Sequence, residues 1–224
     1  MNSLADRPDK QRRRGEILDA AFLEFSTKGY AGASMEAIAR RAHASKQTLY
    51  AWFENKEALL NTLFAARLDA MKSRTVQAAE NDPSPANVLP AVAEDTLRFA
   101  LAMAPLIGAI GPGEQGASAF RTLGRTIGKE REKFVEYLMW RRAEGDIAFD
   151  DDPVEIASLF VAMALGEWSM RLGTGMLETL TDRMIEDHAR RAARIFLKGL
   201  APKSGRSATP AVPSAANGRT VRAD

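Results

Sequence analysis

SMEAIARRAHASKQTLYAWFENK, residues 34–56, decides the fold, because this stretch predicts two short helices joined by a tight turn. The hydroxyls of Ser34 and Ser45 can each accept a hydrogen bond from the exposed N–H groups at a helix start. Leu49 and Phe53 lie four residues apart on the second helix, so they share one face and can pack inward. The stretch therefore predicts a helix–turn–helix.

The second of these helices leaves its other face to polar side chains: Lys46, Gln47, Thr48 and Tyr50. A glutamine can pair with adenine through two hydrogen bonds, a lysine can reach guanine acceptors, and hydroxyls can hold phosphates. This face predicts insertion into the major groove of DNA. Two surface helices of an ordinary bundle remain the alternative at this point, because helix–turn–helix spacings occur in many helical proteins.

The composition restricts the class of protein. The chain has 224 residues, 46 % of them hydrophobic, which is enough for a large buried core. It contains no cysteine and only two histidines, His43 and His188, so we expect no disulfide, no metal site and no cofactor. No apolar run approaches the roughly 18 residues that span a bilayer, and no secretory signal is recognisable. We expect a cytoplasmic protein with no membrane partner.

Charge is distributed unevenly along the chain. Residues 1–56 carry ten basic and seven acidic residues, a net charge of +3, whereas residues 57–200 carry 17 and 21, a net charge of −4. Residues 201–224 carry four and one, a net charge of +3. The basic excess at the helix–turn–helix end supports a nucleic-acid surface there.

The rest of the chain predicts an all-α fold with a larger C-terminal helical bundle. The predicted domains are a flexible arm over 1–9, a DNA-binding domain over 10–56, a helical domain over 57–200 and a disordered tail over 201–224. The apolar periodicity predicts helices over 9–28 (ended by Gly29), 55–79, 86–104, 105–110, 117–144 (as one helix or two), from 153 onward, and 181–198.

The stretch from Ile17 to Leu60 resembles the N-terminal DNA-binding domain of the TetR family of regulators. The match covers about a quarter of the chain, and its features are specific only as a set. They are Lys28-Gly29-Tyr30, the helix start at Ser34, Ala39, Ser45-Lys46, Thr48-Leu49-Tyr50, Phe53 and Asn55-Lys56-Glu57-Ala58-Leu59. The segment from Phe120 to Leu200 also resembles the C-terminal domain of the AefR-like branch.

This resemblance implies a homodimer held together by its last two helices, with recognition helices that enter successive major grooves of a double-stranded operator. It implies that Ser34 and the segment Lys46–Tyr50 face DNA, while Trp52 and Lys56 approach phosphates. Two positions depart from the family pattern. His43 occupies a turn position where glycine is usual and positive φ is often needed, so we expect either a slightly different turn or a strained His43. We prefer this structural role to the alternative, a phosphate contact by His43. Trp52 replaces a commoner tyrosine or histidine and can only donate a hydrogen bond.

Several cations are placed against the helix dipole, which disfavours positive charge near a helix N-terminus. The run Arg12, Arg13 and Arg14 falls near the start of the first predicted helix, and Lys46 and Lys56 each follow an N-cap. A phosphate would resolve these conflicts, because it is attracted to both the helix end and the side chain. A solvated arm is the alternative for the arginine run.

Large side chains of the C-terminal region are candidates for an effector pocket, although most belong to the core. Methionine adapts to varied apolar ligands, and tyrosine or tryptophan adds a polar group. Glu167 or Arg171 could orient a polar part of the ligand. The candidates are Phe99, Met103, Ile107, Phe120, Phe134, Tyr137, Met163 and Trp168.

The sequence thus predicts a ligand-responsive repressor that a small, largely apolar effector releases from a palindromic operator. Two alternatives remain open: a DNA-binding regulator without a small-molecule effector, and an all-α enzyme. No nucleophile and base can be paired from spacing, so nothing in the sequence supports the enzyme.

Overall fold

The computed structural model describes residues 6–174 and 180–202, without the side chains of residues 6–8, 167 and 169–174. All regular structure in this part of the chain is helical, which confirms the predicted all-α class. The helices are α1 (Asp6–Gly32), α2 (Met35–Arg41), α3 (Lys46–Phe53), α4 (Lys56–Met71), α5 (Ser73–Asn81), α6 (Pro85–Gly108), α7 (Glu114–Ala143), α8 (Pro153–Thr174) and α9 (Asp182–Gly199).

Helices α2 and α3 form the helix–turn–helix, and both predicted caps are confirmed. The Ser34 hydroxyl accepts a hydrogen bond from the backbone N–H of Ala37 at 3.1 Å. The Ser45 hydroxyl accepts one from the N–H of Thr48 at 3.0 Å. Leu49 is fully buried and Phe53 nearly so, as their spacing predicts. One side of α3 is therefore fixed in the core, and this fixes which side chains face outward.

The turn between α2 and α3 places His43 at φ 50°, as its unusual position in the sequence predicts. Residues with a Cβ adopt this left-handed region at a cost, although histidine tolerates it better than most. The carbonyl of His43 accepts a hydrogen bond from the Arg13 guanidinium at 2.6 Å. This bond involves only the His43 backbone, so it does not require the imidazole ring.

We expect His43→Gly to raise the free energy of unfolding by about 0.5–1 kcal/mol. Glycine removes the strain of positive φ, and this gain exceeds the extra entropy of the unfolded chain. Chemical denaturation of both proteins measures the change. Ala44→Gly is the matched control, because Ala44 lies next in the same turn and has no positive φ. That variant should be less stable than the parent, and a loss of stability in both would contradict the assigned strain.

Glycine at position 29 is required by a close contact between α1 and the end of α6. Gly29 adopts φ 72°, and a Cβ there would lie 2.7 Å from the carbonyl oxygen of Ala109. The helical conformation is therefore interrupted at Gly29, the residue where the sequence predicts the helix end.

The hydrophobic core continues across the predicted boundary at residue 56. Phe25, Ile38 and Leu49 of the first three helices belong to the same buried cluster as Leu63 of α4 and Met103 of α6. A second buried cluster joins α6 and α7 to α8 and α9 further along the molecule. The helix–turn–helix is thus packed directly onto the helices of the C-terminal region, without an intervening linker.

The predicted helix over 55–79 is wrong in one respect, because the chain forms α4 and α5 with a break at Lys72. The cause lies in another helix. The carboxylate of Asp95 on α6 accepts hydrogen bonds from the N–H and the hydroxyl of Thr75, and so caps the start of α5. Burial raises the pKa of Asp95. A cap supplied by a distant residue cannot be read from local periodicity.

The two predicted helices over 86–104 and 105–110 are one helix, since α6 continues through Pro105 to Gly108. Proline inside a helix costs roughly 3 kcal/mol because it removes a hydrogen bond and crowds the preceding turn. Met103 and Leu106 on either side are both buried in the first cluster, and their packing offsets that cost. The open question for residues 117–144 is also settled, because α7 is one helix.

The predicted ends of the chain need one correction. Helix α1 begins at Asp6, so residues 6–9 of the predicted flexible arm are helical. Proline is compatible with the first turn of a helix, because its missing N–H has no partner there in any case. Residues 1–5 and most of the predicted disordered tail, 203–224, lie outside the described residues.

Candidate nucleic-acid interface

The outward face of α3 carries the side chains that the sequence predicts for base contact. Lys46 and Gln47 are exposed, and Tyr50 is 44 % exposed. Thr48 is half-buried, and its hydroxyl shares a hydrogen bond with Ser45 at 2.8 Å, so it belongs partly to the cap. The structure thus brings a cation, an amide and a phenol to one short exposed helix surface, while the opposite side is buried.

A carboxylate that the sequence did not single out lies beside this face. Glu36 of α2 forms an ion pair with Lys46 at 3.0 Å. The hydrogen bond from Lys46 is the main cause that lowers the pKa of Glu36, and a hydrogen bond from Tyr50 adds to it. Glu36 lies in the first turn of α2, so no helical spacing links it to Lys46, and only the fold reveals the contact.

The arginines of α1 have partners within the protein. Arg12 and Arg13 both bind Glu16, at 2.5 and 2.6 Å, and the hydrogen bond from Arg13 is the main cause that lowers the pKa of Glu16. Arg14 is exposed and stacks over the ring of Phe53, with its guanidinium carbon 5.4 Å from the ring centre. Arg14 therefore presents a charge next to α3, because Phe53 ends that helix.

Lys56 has a structural role that the sequence did not predict. Its ammonium donates to the carbonyl oxygens of Tyr30 and Ala33 at 2.7 and 3.1 Å, close to the end of α1. It also lies 4.5 Å from the centre of the Tyr30 ring. Burial lowers the pKa of this ammonium. Lys56 thus joins the start of α4 to the end of α1, and its contact with a phosphate remains a prediction.

We expect Lys56→Met to lower the free energy of unfolding by about 1–2 kcal/mol, because it leaves two carbonyl groups without their charged donor. Methionine keeps most of the aliphatic length. Lys28→Met, an exposed lysine on α1, is the matched control and should change stability by less than about 0.5 kcal/mol. Thermal or urea unfolding tests the pair. Equal stability of the two variants would contradict the structural role.

The dipole conflicts predicted from the sequence are resolved inside the protein. Arg12 is the seventh residue of α1, beyond the first turn, where the dipole no longer matters. Lys46 is neutralised by Glu36, and Lys56 is held by backbone carbonyls. A phosphate is therefore not needed to balance these cations, and a DNA contact for them stays a prediction that rests on their position.

The comparison with known families agrees with this geometry. Residues 17–63 match the sequence model of the bacterial regulatory proteins of the tetR family. The matched range contains the end of α1, the whole helix–turn–helix and the first half of α4. These residues are therefore those of a TetR-type regulator. The predicted resemblance is confirmed, and the AefR-like character of the C-terminal region stays a prediction.

Curated relatives of this chain match it over the same end. The transcriptional regulator YhgD of Bacillus subtilis is 37 % identical over 68 residues, which is 30 % of this chain and 36 % of that protein. The transcriptional repressor SCO4008 of Streptomyces coelicolor is 35 % identical over 60 residues, 27 % of this chain and 31 % of the repressor. The chain thus spans about a third of the length of these relatives. Both relatives are transcriptional regulators and neither is an enzyme, so this comparison gives the enzyme alternative no support.

The fold comparison extends over most of the chain. The solved structure of the flavonoid-responsive regulator FrrA has a TM-score of 0.61 and 26 % identity, and the match covers 87 % of this chain and all of that one. Both the helix–turn–helix and the C-terminal helices therefore share the fold of that regulator.

The predicted ligand residues are distributed over three parts of the molecule. Phe99, Met103 and Ile107 pack with the first cluster, beside the DNA-binding helices. Phe134, Tyr137 and Met163 are partly buried against the second cluster, while Trp168 belongs to a third with Leu97 and Ile185. Phe120 is 48 % exposed. Glu167 and Arg171 lie outside the described side chains. The eight candidates do not surround one common cavity in the described part of the chain.

Two cavities in the described part of the chain are lined by other residues. One, of about 370 Å³, lies between α5, α6 and α9, and its walls include the charged groups of Arg74, Glu94 and Arg190. The other, of about 640 Å³, lies between α4 and α7 and includes Arg125 and Glu57. Both are charged, so neither has the largely apolar lining that the sequence predicts for the effector.

Polar contacts connect the DNA-binding helices to the C-terminal region. The Glu57 carboxylate, in the first turn of α4, accepts hydrogen bonds from Arg125 at 2.7 Å and from the Thr122 hydroxyl at 3.2 Å, both on α7. The hydrogen bond from Arg125 is the main cause that lowers the pKa of Glu57. These contacts join the start of α4 directly to α7.

Two negative findings concern the described residues. No helix among them is long and apolar enough to cross a bilayer. They also contain no group of three histidine, cysteine or acidic side chains that could hold a metal ion.

Proposed function

We propose that the protein is a homodimeric transcriptional repressor that binds a palindromic operator through α3 and is released by a small, largely apolar effector. The observation that carries the proposal is the polar outward face of α3, with Gln47 at its centre, in a helix–turn–helix of TetR type. Major-groove recognition needs a short helix whose donors and acceptors are free to reach base edges. Arg14 and Trp52 flank this face and supply donors for phosphates.

The repressor assignment is supported by relatives. SCO4008 is a repressor, and the repressor KstR of Rhodococcus jostii is 36 % identical over 73 residues. The related FasR of Mycolicibacterium smegmatis is an activator, so membership of the family leaves the sign of regulation open. Expression of a reporter behind the operator, with and without this protein, decides between the two.

The dimer is supported by exposed apolar side chains on the last two helices. Leu159 of α8 is 58 % exposed and Ile195 of α9 is 51 % exposed, although the neighbouring Phe160 and Phe196 are buried in the second cluster. Each of these helices thus has an inner face that packs against the subunit and an outer face that carries apolar groups. Two copies that pair these outer faces would form a bundle of four helices.

The effector is supported by the likeness to FrrA, whose name describes a response to flavonoids, and by the partly buried side chains Phe134, Tyr137 and Met163. The Tyr137 hydroxyl donates to the carbonyl of Pro83 at 2.9 Å, and burial raises its pKa to about 12. It therefore stays protonated at neutral pH. A flat apolar molecule with one polar group would suit such surroundings. Such an effector releases DNA only if it binds better to a conformer whose α3 helices are wrongly spaced for DNA than to the DNA-binding conformer.

Titration of the purified protein against the DNA beside its own gene tests the proposed function. We expect tighter binding to that duplex than to competitor DNA of equal length. Equal binding to both would reject sequence-specific regulation through that site. A thermal-shift screen with apolar and amphipathic compounds then tests the effector. A compound that stabilises the protein and releases the duplex supports it, whereas no such compound favours a regulator controlled by a protein partner or by concentration.

A further inference from the structure

Glu36 is an unusual residue for a surface that binds DNA, because a carboxylate repels phosphates. It lies on α2, its side chain is 45 % exposed, and its partner Lys46 is 64 % exposed on α3. The two charged ends are 3.0 Å apart, which is the distance of a direct ion pair. The carboxylate thus lies within the predicted DNA-binding face, next to the cation at the start of the recognition helix.

The ion pair changes what Lys46 can do. A free lysine at this position would bind a phosphate of any sequence and release counterions, which adds to non-specific affinity. With Glu36 beside it, the ammonium must give up an existing partner, and the carboxylate must be brought near the phosphate that it repels. Contact with a neutral base edge does not carry this second cost.

We propose that Glu36 is a specificity-determining residue of the DNA site, which holds Lys46 on the base-reading face and prevents it from acting as a non-specific phosphate contact. This proposal rests on the proposed DNA-binding function. Glu36 acts through Lys46 and is therefore a positioning residue. Its carboxylate lowers the affinity for all duplexes. It lowers the affinity for random DNA more than the affinity for the operator, so the preference for the operator becomes larger.

Other charged groups of the domain do not share this geometry. Glu16 also pairs with two cations, Arg12 and Arg13, but all three residues belong to α1. Glu54 is the C-cap residue that follows α3, and no ion pair is found for it within the described residues. It is the matched control, because its neutralisation removes one negative charge from the same domain without releasing a lysine.

The test compares Glu36→Gln with Glu54→Gln by measuring affinity for the operator and for a random duplex over a range of salt concentrations. For Glu36→Gln we expect the salt dependence on random DNA to become steeper by about 0.9 in log–log slope for each contacting subunit, as for one added phosphate contact. Affinity for random DNA should rise about fivefold to tenfold at about 0.1 M salt, and the ratio of operator to random affinity should fall by a similar factor. Glu54→Gln should leave the slope and the ratio nearly unchanged.

A double variant shows whether the effect passes through Lys46. In a Lys46→Gln background, Glu36→Gln should no longer steepen the slope, because no lysine is released. Exposed ion pairs contribute little to stability, so the melting temperatures of all these variants should stay close to that of the parent. An unchanged slope and ratio for Glu36→Gln, or the same change with Lys46 absent, would overturn the proposal.

The proposed function can fail separately. If the parent protein shows no preference for any duplex, sequence-specific binding is rejected and the ratio cannot be measured. If the parent prefers the operator while Glu36→Gln retains the same slope and ratio, the function stands and only the role of Glu36 is rejected.

Discussion

Leu159→Asp is expected to convert the dimer into monomers and to weaken operator binding about 100-fold or more. Leu159 is the most exposed large apolar side chain among those found on the described surface. In a dimer that pairs the outer faces of α8 and α9, each copy would bury its aspartate against the apolar face of the other. Each monomer would then bind one half-site, and the gain from linking two binding events, typically 10²–10⁴-fold, would be lost.

Sedimentation at the working concentration together with titration of an operator duplex measures this effect. Val76→Asp on α5 is the matched control, because Val76 is 52 % exposed but lies outside the proposed interface. That variant should remain a dimer with nearly unchanged affinity. A Leu159→Asp protein that stays dimeric would place the interface elsewhere, and a monomer with full affinity would separate dimerisation from DNA binding.

Gln47→Ala is expected to reduce discrimination between base pairs by about 1–3 kcal/mol per half-site, the range for one bidentate side-chain contact with a base. Its side chain is exposed on α3 and is not part of a cap or of the core, so its removal should leave stability unchanged within about 0.5 kcal/mol. Affinity for random DNA should change little. The loss of affinity should therefore be confined to operators that carry the preferred base at the position contacted by Gln47 in each half-site.

Arg14→Ala should have the opposite effect, a loss of affinity that does not depend on the DNA sequence. Its guanidinium stacks on Phe53 beside α3 and has no ion pair within the described residues, so it is suited to a phosphate contact. We expect weaker binding to operator and random DNA alike, and a salt slope that becomes shallower by about 0.9 per subunit. Binding measured for both variants, on both duplexes, separates base contact from backbone contact. If both variants lowered operator and random affinity equally, the division of roles between Gln47 and Arg14 would be wrong.

The features that the sequence predicts correctly are local ones. Ser34 and Ser45 cap helices that begin at the next residue, and Leu49 and Phe53 are four residues apart on one turn of helix. The positive φ of His43 also follows from a turn of fixed length. In each case the interacting groups lie within a few residues of one another, so propensity and spacing suffice.

The features that the sequence misses depend on contacts between distant segments. Lys56 binds carbonyls some 25 residues away, and Asp95 caps a helix that begins about 20 residues before it. Glu36 and Lys46 are ten residues apart on different helices, and their contact depends on the angle between α2 and α3. A charged residue near a helix start suggests a phosphate when only the sequence is known, whereas the fold supplies a partner from the protein itself.

The proposed dimer brings two identical recognition helices, held at a fixed spacing, to one duplex. Selection of bound duplexes from a random pool, at one fixed salt concentration, tests this most directly. We expect an enriched sequence made of two inverted half-sites whose centres lie about one helical turn apart. A pool without any enriched sequence, or with a single unpaired half-site, would contradict it.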